Sequence, residues 1–404
     1  MTYVNAVKYI YSLPKADANL ERAHRVYELI SSADDRVKTI HIFGKQGKNS
    51  CHRMLSSILS QSGLTVGGFS PSHATEPREA ITVNGKPISY EIFAESVAEL
   101  KRIYFDNSDL GEPSRDELIF LTAMISFRKA GCDVAILEKG LKKNDAANVT
   151  EAPILYVVAS MGDIPAEELD LAEILRRGTS ETVTSPQHKD VYNAISQSCA
   201  RIGSRLTLSI YSELEISKIN LFKTSFFYEG TEYSIRSFSP YQTVNAITVI
   251  EAANALVRLG ISISSQNIRD GIEKATFPNK CEAITLEPTI IVRSADTEAS
   301  LPSLAASIAQ VSEHINGDIV VAVDNDCSFD AKKIRAVFSA YGVSVKGIVS
   351  ISSDLTPSKL TKSIRELIDP IVSDEAMSSA LVLIAGEDFA AKLSDTVRQI
   401  LGRT

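Results

Sequence analysis

The sequence predicts an α/β protein in two parts, each built on a parallel sheet, and three observations carry that expectation. Val37-Lys-Thr-Ile-His-Ile-Phe43 reads as a short strand that runs into a glycine loop, Gly44-Lys-Gln-Gly-Lys-Asn-Ser50. That loop opens a helix with Met54, Leu55, Ile58 and Leu59 on its apolar positions. Short apolar runs then alternate with helical patterns as far as about residue 275, as expected of parallel strands joined by helices. From Thr289 to about residue 401 the alternation starts again in a more compact form of Rossmann-like character. The expected division is a domain over 1–284 carrying the loop and a smaller one over 285–404.

Taken in order, Tyr3, Ala6, Val7 and Ile10 mark one helical face. Leu20, Ala23, Val26, Leu29 and Ile30 mark a second, with a break near Ser12-Leu-Pro14. Strand, loop and helix follow to about Gln61, then a second strand over Leu64–Ser70, a loop from Pro71, and a turn at Asn84-Gly85. Ile88 to Tyr104 and Arg115 to Ala130 read as helices. The runs Val134-Ala-Ile-Leu-Glu138 and Ile154-Leu-Tyr-Val-Val-Ala159 read as buried parallel strands. Helix, short strand (Thr182-Val-Thr184) and helix occupy 168–201, β-formers dominate 205–240, and helices follow over Tyr241–Leu259 and Ser265–Ala275. Thr276-Phe-Pro-Asn-Lys280 breaks the pattern. The last part reads as strands at 289–292, 318–323, 343–351 and 380–385, with helices at 301–314, 329–341, 357–369 and 388–401. Ligands of such sheets bind beyond the carboxyl ends of the strands, which puts Gly44–Ser50, 70–73, Glu138 and Ser160–Asp163 on one rim.

The 404 residues are 44% hydrophobic and 23% charged, which suits a globular chain with room for more than one core. A net charge of −8 without a long Lys/Arg run argues against nucleic acid as the main partner. Five scattered cysteines without a C-x-x-C pair suggest neither a zinc site nor a disulfide framework. The first residues lack the shape of a signal peptide, and no apolar run of about 18 residues occurs, so no membrane span and a cytoplasmic location are expected.

Glycines let backbone N–H groups close around phosphate oxygens. The helix N-terminus adds positive dipole, Lys48 reaches outer phosphates, and Ser50 suits a Mg²⁺ ion. The spacing, Gly-x-x-Gly-Lys-x-Ser, is shorter than the usual Gly-x-x-x-x-Gly-Lys-Ser/Thr. By itself it also suits an ordinary strand-to-helix turn with a solvated lysine.

Read together, these segments resemble the folylpolyglutamate synthase/dihydrofolate synthase family of Mur-type ligases, over nearly the whole chain. The resemblance rests on Leu20-Glu-Arg22, Thr39-Ile-His-Ile before the loop, and Gly68-Phe-Ser-Pro-Ser-His73 with Arg78-Glu79 and Ile81-Thr-Val-Asn-Gly85. It extends through Glu138-Lys-Gly-Leu, Asp145-Ala-Ala-Asn148, Thr184-Ser-Pro-Gln187, Tyr241-Gln-Thr-Val-Asn-Ala246 and Phe277-Pro-Asn-Lys-Cys-Glu282. It implies a P-loop ATPase domain of Mur-ligase type followed by a Rossmann-like ligase domain, acting as a monomer. It also implies a reaction in which MgATP phosphorylates a folate or pteroate carboxylate and the amine of L-glutamate attacks the acyl phosphate.

Carried over by resemblance, Lys48 and His73 are catalytic candidates. Gly44, Gly47, Lys48, Asn49, Ser50, Asn245 and Lys280 are nucleotide-binding candidates, with Gln242 beside Asn245. Ser50, Ser72, Glu138 and Asp163 are Mg²⁺ candidates. Asp163 stands where the family has a His, and an Asp oxygen suits Mg²⁺. The family's loop serine falls on Pro71, so Ser70 or Ser72 would take its place. Other positions depart further. Arg176 or Arg177 stands where the family has a carbamylated lysine, and a guanidinium cannot form that carbamate. The family's Asp-Gly-Ala-His-Asn-Pro falls on Arg293-Ser-Ala-Asp-Thr-Glu298, which places a cation where an Asp meets ATP and Asp296 where a His faces phosphate. Lys280 replaces an Arg and loses its bidentate fork. Three readings follow: a divergent ligase of this type, a catalytically impaired relative that keeps nucleotide or partner binding, and a Mur-like ligase for another acyl substrate.

Overall fold

The computed structural model describes the chain except residues 32–35, 72–75, 151, 177, 279, 296–299, 316–317, 374–378 and 403–404. Two helices lead in, α1 (Tyr3–Ser12) and α2 (Leu20–Ile30). Their first turns are capped by Thr2 and Asn19, whose side-chain oxygens accept from Asn5 N and Arg22 N. Then come β1 (Lys38–Phe43), α3 (Lys48–Gln61), β2 (Val66–Phe69), β3 (Ile81–Val83), β4 (Lys86–Pro87), α4 (Tyr90–Asp106), α5 (Arg115–Lys129) and β5 (Val134–Glu138). They are followed by β6 (Leu155–Val158), α6 (Leu171–Ile174), β7 (Glu181–Thr184), α7 (Lys189–Ile202) and β8 (Arg205–Leu208).

These strands form one sheet in the order β4-β3-β2-β5-β1-β6-β7-β8. From β2 to β8 every pairing is parallel, and β3 and β4 add an antiparallel edge. The hairpin between β3 and β4 was expected only as a turn. It closes through Asn84 and Gly85, both at positive φ (48° and 75°), the backbone that Asn-Gly supplies most readily. The central strand is β1, with β5 on one side and β6 on the other, so the chain leaves it at a topological switch point.

Side chains alternate across β1. One core cluster joins α1, α2, α4 and α5 to Phe69, Ala135 and Leu137. Another packs Phe43, Tyr156 and Val158 against Leu171, Ile174, Val191 and Ile195. A buried polar knot ties three of the helices together. Glu117 on α5 accepts from Arg22 Nε (2.9 Å) and Nη2 (2.8 Å) and from Tyr104 Oη (2.6 Å), so the carboxylate is paired and its burial compensated.

A three-stranded antiparallel sheet follows, β9 (Leu214–Ile219), β10 (Thr224–Tyr228) and β11 (Thr231–Ile235), with β10 in the middle. Helices α8 (Pro240–Arg258) and α9 (Ser265–Lys274) lead to the last alternation: β12 (Lys280–Leu286), β13 (Thr289–Ser294), α10 (Leu301–Gln310), β14 (Asp318–Asp324), α11 (Ala331–Ala340), β15 (Val345–Ile351), α12 (Pro357–Ser373), β16 (Ser379–Ala385) and α13 (Glu387–Ile400). Its sheet has the order β12-β13-β16-β14-β15, parallel except for β12. Strand β12 begins at Lys280, the last residue of the stretch that reads as a break, and was not expected as a strand. It is an edge strand with two register shifts and no clean alternation of burial, so its period-2 signal is weak. The chain divides into two compact units, Met1–Ser212 with Val244–Ala275, and Glu213–Thr243 with Thr276–Thr404. Among the described residues, no helix is long and apolar enough to cross a membrane.

Candidate active site

The loop after β1 is shaped by two glycines. Gly44 has φ 145°, and a Cβ there would stand 2.9 Å from the Ala159 carbonyl oxygen. Gly47 has φ 85° and caps α3 in the left-handed region, where a Cβ would lie 2.5 Å from Asn245 Oδ1. Asn245, buried on α8, therefore forms a wall of the loop. The Lys45 and Gln46 amides both donate to the Ser160 carbonyl at the end of β6 (2.8 and 3.0 Å), which anchors the loop to the neighbouring strand. No side chain caps α3, whose first helical bond runs from Cys51 N to Gly47 O (2.9 Å). The amides of Lys48, Asn49 and Ser50 thus lie in the first turn of a 14-residue helix, ahead of any intrahelical acceptor. That turn carries the positive end of the helix dipole. Lys48 reaches back across the loop, Nζ donating to the Gly44 carbonyl at 2.8 Å. Burial lowers its pKa, and the nearby Glu138 and Asp145 act against that shift. The loop thus presents a lysine and a helix N-terminus at the end of the central strand, an arrangement suited to a polyphosphate.

Glu138, the last residue of β5, turns toward α3. Its Oε1 accepts from Ser70 Oγ at 2.6 Å, lies 3.0 Å from His52 Nδ1, and is 3.4 Å from Asn49 Nδ2. An ionised carboxylate accepts only, so the His52 proton sits on Nδ1. Gly68 leaves the room His52 needs, since a Cβ at that position would be 2.6 Å from His52 Nε2. The structure thereby gathers Asn49, Ser70 and Glu138 at the first turn of α3, the turn that also carries buried Ser50. Burial, with Glu138 close by, pushes the Cys51 thiol up to about 12, so it stays protonated.

The other candidates fall elsewhere. Asp163 is fully exposed and lies 3.5 Å from His188 Nε2. The start of the loop that carries it is held by three bonds, the two amides on the Ser160 carbonyl and Met161 N donating to Gln187 Oε1 at 3.0 Å. Among the described residues no group of three or more His, Cys, Asp or Glu side chains is placed to hold a metal, so Asp163 does not join Glu138. The donor set suits Mg²⁺ only in the form that takes one carboxylate and a hydroxyl and completes its shell with phosphate and water. Ser72, His73, Arg177 and Asp296 lie outside the described residues. In the second unit, Lys280 Nζ donates to Ser294 Oγ (3.4 Å). Buried Arg293 donates to Tyr241 Oη and, at 3.2 Å, to Ser303 Oγ.

Sequence reasoning missed the group on the opposite face of the sheet. Lys139 follows Glu138 and so points the other way. It is 2% exposed, donates to Asn148 Oδ1 (2.7 Å) and the Ile174 carbonyl (2.9 Å), and stands 5.4 Å from the ring centroids of both Phe43 and Tyr156. Burial lowers its pKa to about 7. Asp145 opposes that shift and Arg176 adds to it. Arg176 Nη1 reaches the Asn148 carbonyl at 3.4 Å, so this guanidinium borders the same group. His41 lies 2.8 Å through Nε2 from Thr150 Oγ1, and the Thr150 hydroxyl donates to the Ala147 carbonyl (2.9 Å). The His41 proton is therefore on Nε2. Burial, then Lys139 and Arg176, keep the ring neutral by lowering its pKa well below the usual value. For His41 the available signal was a basic residue inside an otherwise apolar strand; Lys139 follows the last residue of β5 and left no such signal.

No family model matches the chain. It is 28% identical over 312 residues, 72% of each chain, to the dihydrofolate synthase/folylpolyglutamate synthase of Bacillus subtilis. It is 25% identical over 374 residues, 86% of each chain, to the folylpolyglutamate synthase of Lacticaseibacillus casei. Its fold matches that of Mycobacterium tuberculosis folylpolyglutamate synthase, solved in complex with ADP and AMPPCP, with a TM-score of 0.75 at 19% identity, covering 100% of this chain and 99% of that one. Sequence likeness across most of the chain and fold likeness across all of it agree: this chain is similar to folylpolyglutamate synthases and dihydrofolate synthases and has the two-part α/β fold of the solved folylpolyglutamate synthases.

Proposed function

We propose that this chain binds MgATP at Gly44–Ser50 and is a divergent ATP-dependent carboxylate–amine ligase that joins L-glutamate to a folate or pteroate carboxylate. The observation that carries the nucleotide reading is the uncapped N-terminus of α3 behind two positive-φ glycines, with Lys48 laid across the loop. The structure solved with ADP and AMPPCP supports it by analogy of fold. The functional boundary we assign is 284/285, the location cytoplasmic and the acting species a monomer.

In the chemistry proposed, a carboxylate oxygen attacks the γ-phosphorus, ADP leaves, and an acyl phosphate forms. The glutamate amine then attacks the acyl carbon, phosphate leaves, and the amine proton passes to solvent or a base. Such transfers are accelerated mainly by positioning and by neutralising phosphate charge. Lys48 and the first turn of α3 supply that charge, Asn245 walls the loop, and Lys280 is assigned to the nucleotide. Ser50 and Glu138 would hold Mg²⁺, which neutralises phosphate charge when bound. His73 is assigned to the substrate loop.

A second reading, nucleotide binding without effective ligation, is favoured by one observation. Arg293 is a buried cation held by Tyr241 and Ser303 at the position where the family resemblance implies an aspartate at ATP. Calorimetry with MgATP tests the shared part. Lys48→Ala is expected to weaken binding about tenfold to a hundredfold, the worth of one charged contact of 1.5–3 kcal/mol. No heat for the wild type at millimolar nucleotide would remove both readings. ADP release that requires a folate and glutamate together decides between them.

A further inference from the structure

His52 lies on α3 one turn beyond Lys48, on the side of the helix that faces the sheet, and is buried. Gly68 on β2 makes room for its ring. A Cβ there would stand 2.6 Å from His52 Nε2 and 2.4 Å from Thr82 Oγ1, so a larger residue would push the imidazole out of place. From this seat His52 Nδ1 donates to Glu138 Oε1 at 3.0 Å, and the Ser70 hydroxyl donates to the same oxygen at 2.6 Å. The lone pairs of a carboxylate oxygen lie in the carboxylate plane. Two donors, one from α3 and one from the end of β2, therefore fix that plane where a single donor would let it swing. Asn49 adds a longer third contact through Nδ2 at 3.4 Å, and Arg53 Nε, donating to Asn49 Oδ1 at 2.9 Å, holds that amide the right way round.

Hydroxyl, amide and imidazole N–H groups orient a carboxylate without the fixed charge of Lys or Arg. Lys48, on the same helix, turns its Nζ to the Gly44 carbonyl instead (2.8 Å). Glu138, 1% exposed, thus keeps both its negative charge and its aim for a cation. We propose that His52 is a positioning residue for the metal of this site: it holds Glu138 in the orientation in which the carboxylate, with Ser50, would take Mg²⁺ arriving on the nucleotide. The inference rests on the MgATP reading above and adds to it a residue outside the loop's glycine–lysine–serine pattern. Groups that orient a ligating side chain in this way set metal affinity by about 10–100-fold.

Titration calorimetry of the full chain with ATP, once with excess Mg²⁺ and once with EDTA, tests this. Wild type is expected to bind ATP more tightly with the metal. His52→Ala should lose about tenfold or more of the metal-loaded affinity and keep the metal-free affinity within about twofold. His52→Asn, whose amide donates near the place of Nδ1, should recover most of the loss. Mn²⁺ titrated onto the ATP-bound protein and followed by electron paramagnetic resonance reads the same change as metal affinity alone. Unchanged metal-loaded affinity in His52→Ala would overturn the inference. An equal loss with and without metal would overturn it too, since that marks a purely structural role. Should the alanine variant not fold, His52→Leu, which keeps the bulk and drops the donor, is compared with His52→Asn for the same difference. A wild type that binds no ATP, or gains nothing from Mg²⁺, would remove the MgATP reading and this inference with it. Metal-dependent binding by wild type with an unaffected variant removes this inference alone.

Discussion

At the scale of single residues, adjacency in sequence and function separate at Glu138 and Lys139. Both were legible as the end of an apolar run, but only the carboxylate stood out, because a lysine just before Gly140 reads as the start of a solvated loop. What buries Lys139 comes from distant segments, Asn148 and Ile174, which no local pattern connects. Its consequence is a pH dependence of stability. The folded pKa of about 7 lies below the unfolded value near 10.5, so above pH 7 the unfolded chain binds more protons than the folded one. The penalty of burying the charge is in full force below pH 7 and is relieved as pH rises toward 10.5. Between pH 7 and pH 9 the relief amounts to about 2 kcal/mol. Urea unfolding of wild type and Lys139→Met at both pH values should show wild type gaining that amount relative to the variant at pH 9; a difference that does not change with pH would contradict the buried-amine picture. His41 acts in the same direction at lower pH. Its lowered pKa means stability is lost as pH falls below 6.5 toward the folded value.

At the scale of elements, the strand–loop–helix unit was legible because glycine spacing and apolar periodicity meet at one place. The partners of that unit were not legible. Helix α3 packs on α9, and the contact is so close that a Cβ on Gly271 would lie 2.4 Å from the Ile58 Cα and 2.7 Å from the Ile58 nitrogen. Asn267 Nδ2 donating to the Gln61 carbonyl (2.8 Å) fixes the end of the same pair. Neither contact leaves a local trace across more than 200 residues. Two effects compete at Gly271. Alanine gains about 1 kcal/mol of helix propensity, whereas overpacking against backbone, which cannot rotate away, costs about 1–3 kcal/mol. Backbone contact at 2.4 Å favours the second, so Gly271→Ala is expected to destabilise the chain in denaturant unfolding. Because α3 carries the loop, it should also weaken MgATP binding. A stabilised variant would mean that α3 and α9 separate at little cost. Edge elements were hidden for a different reason. Strand β12 pairs on one side only and shifts register twice, so its side chains keep no regular in–out order for a pattern to show.

At the scale of the whole molecule, the two-part α/β plan was visible because helical and strand periods alternate twice. The insertion of Glu213–Thr243 into the second compact unit was not, because β-rich residues between two helices say nothing about which core they join. Leu221 and Phe238 decide it by packing with Ile291, Leu304 and Ile308. Each unit thus has cores of its own, one around α1, α2, α4, α5 and the first sheet, the others on the two faces of the last sheet. Two such cores need not unfold together, and a two-unit chain is where single-transition behaviour fails most often. Scanning calorimetry is therefore expected to resolve two components. A ligand that binds only the folded form raises its stability by RT ln(1 + [L]/Kd), about 2.7 kcal/mol at a hundredfold excess over Kd. Gly44–Ser50 and Asn245 belong to one unit, so MgATP should raise the component assigned to that unit by several degrees, and Lys48→Ala should cut the shift to about half or less at the same nucleotide concentration. The component is assigned by Gly271→Ala, whose substitution lies in the same unit and should lower it selectively. A single transition that MgATP moves as a whole would show that the two cores unfold as one cooperative body.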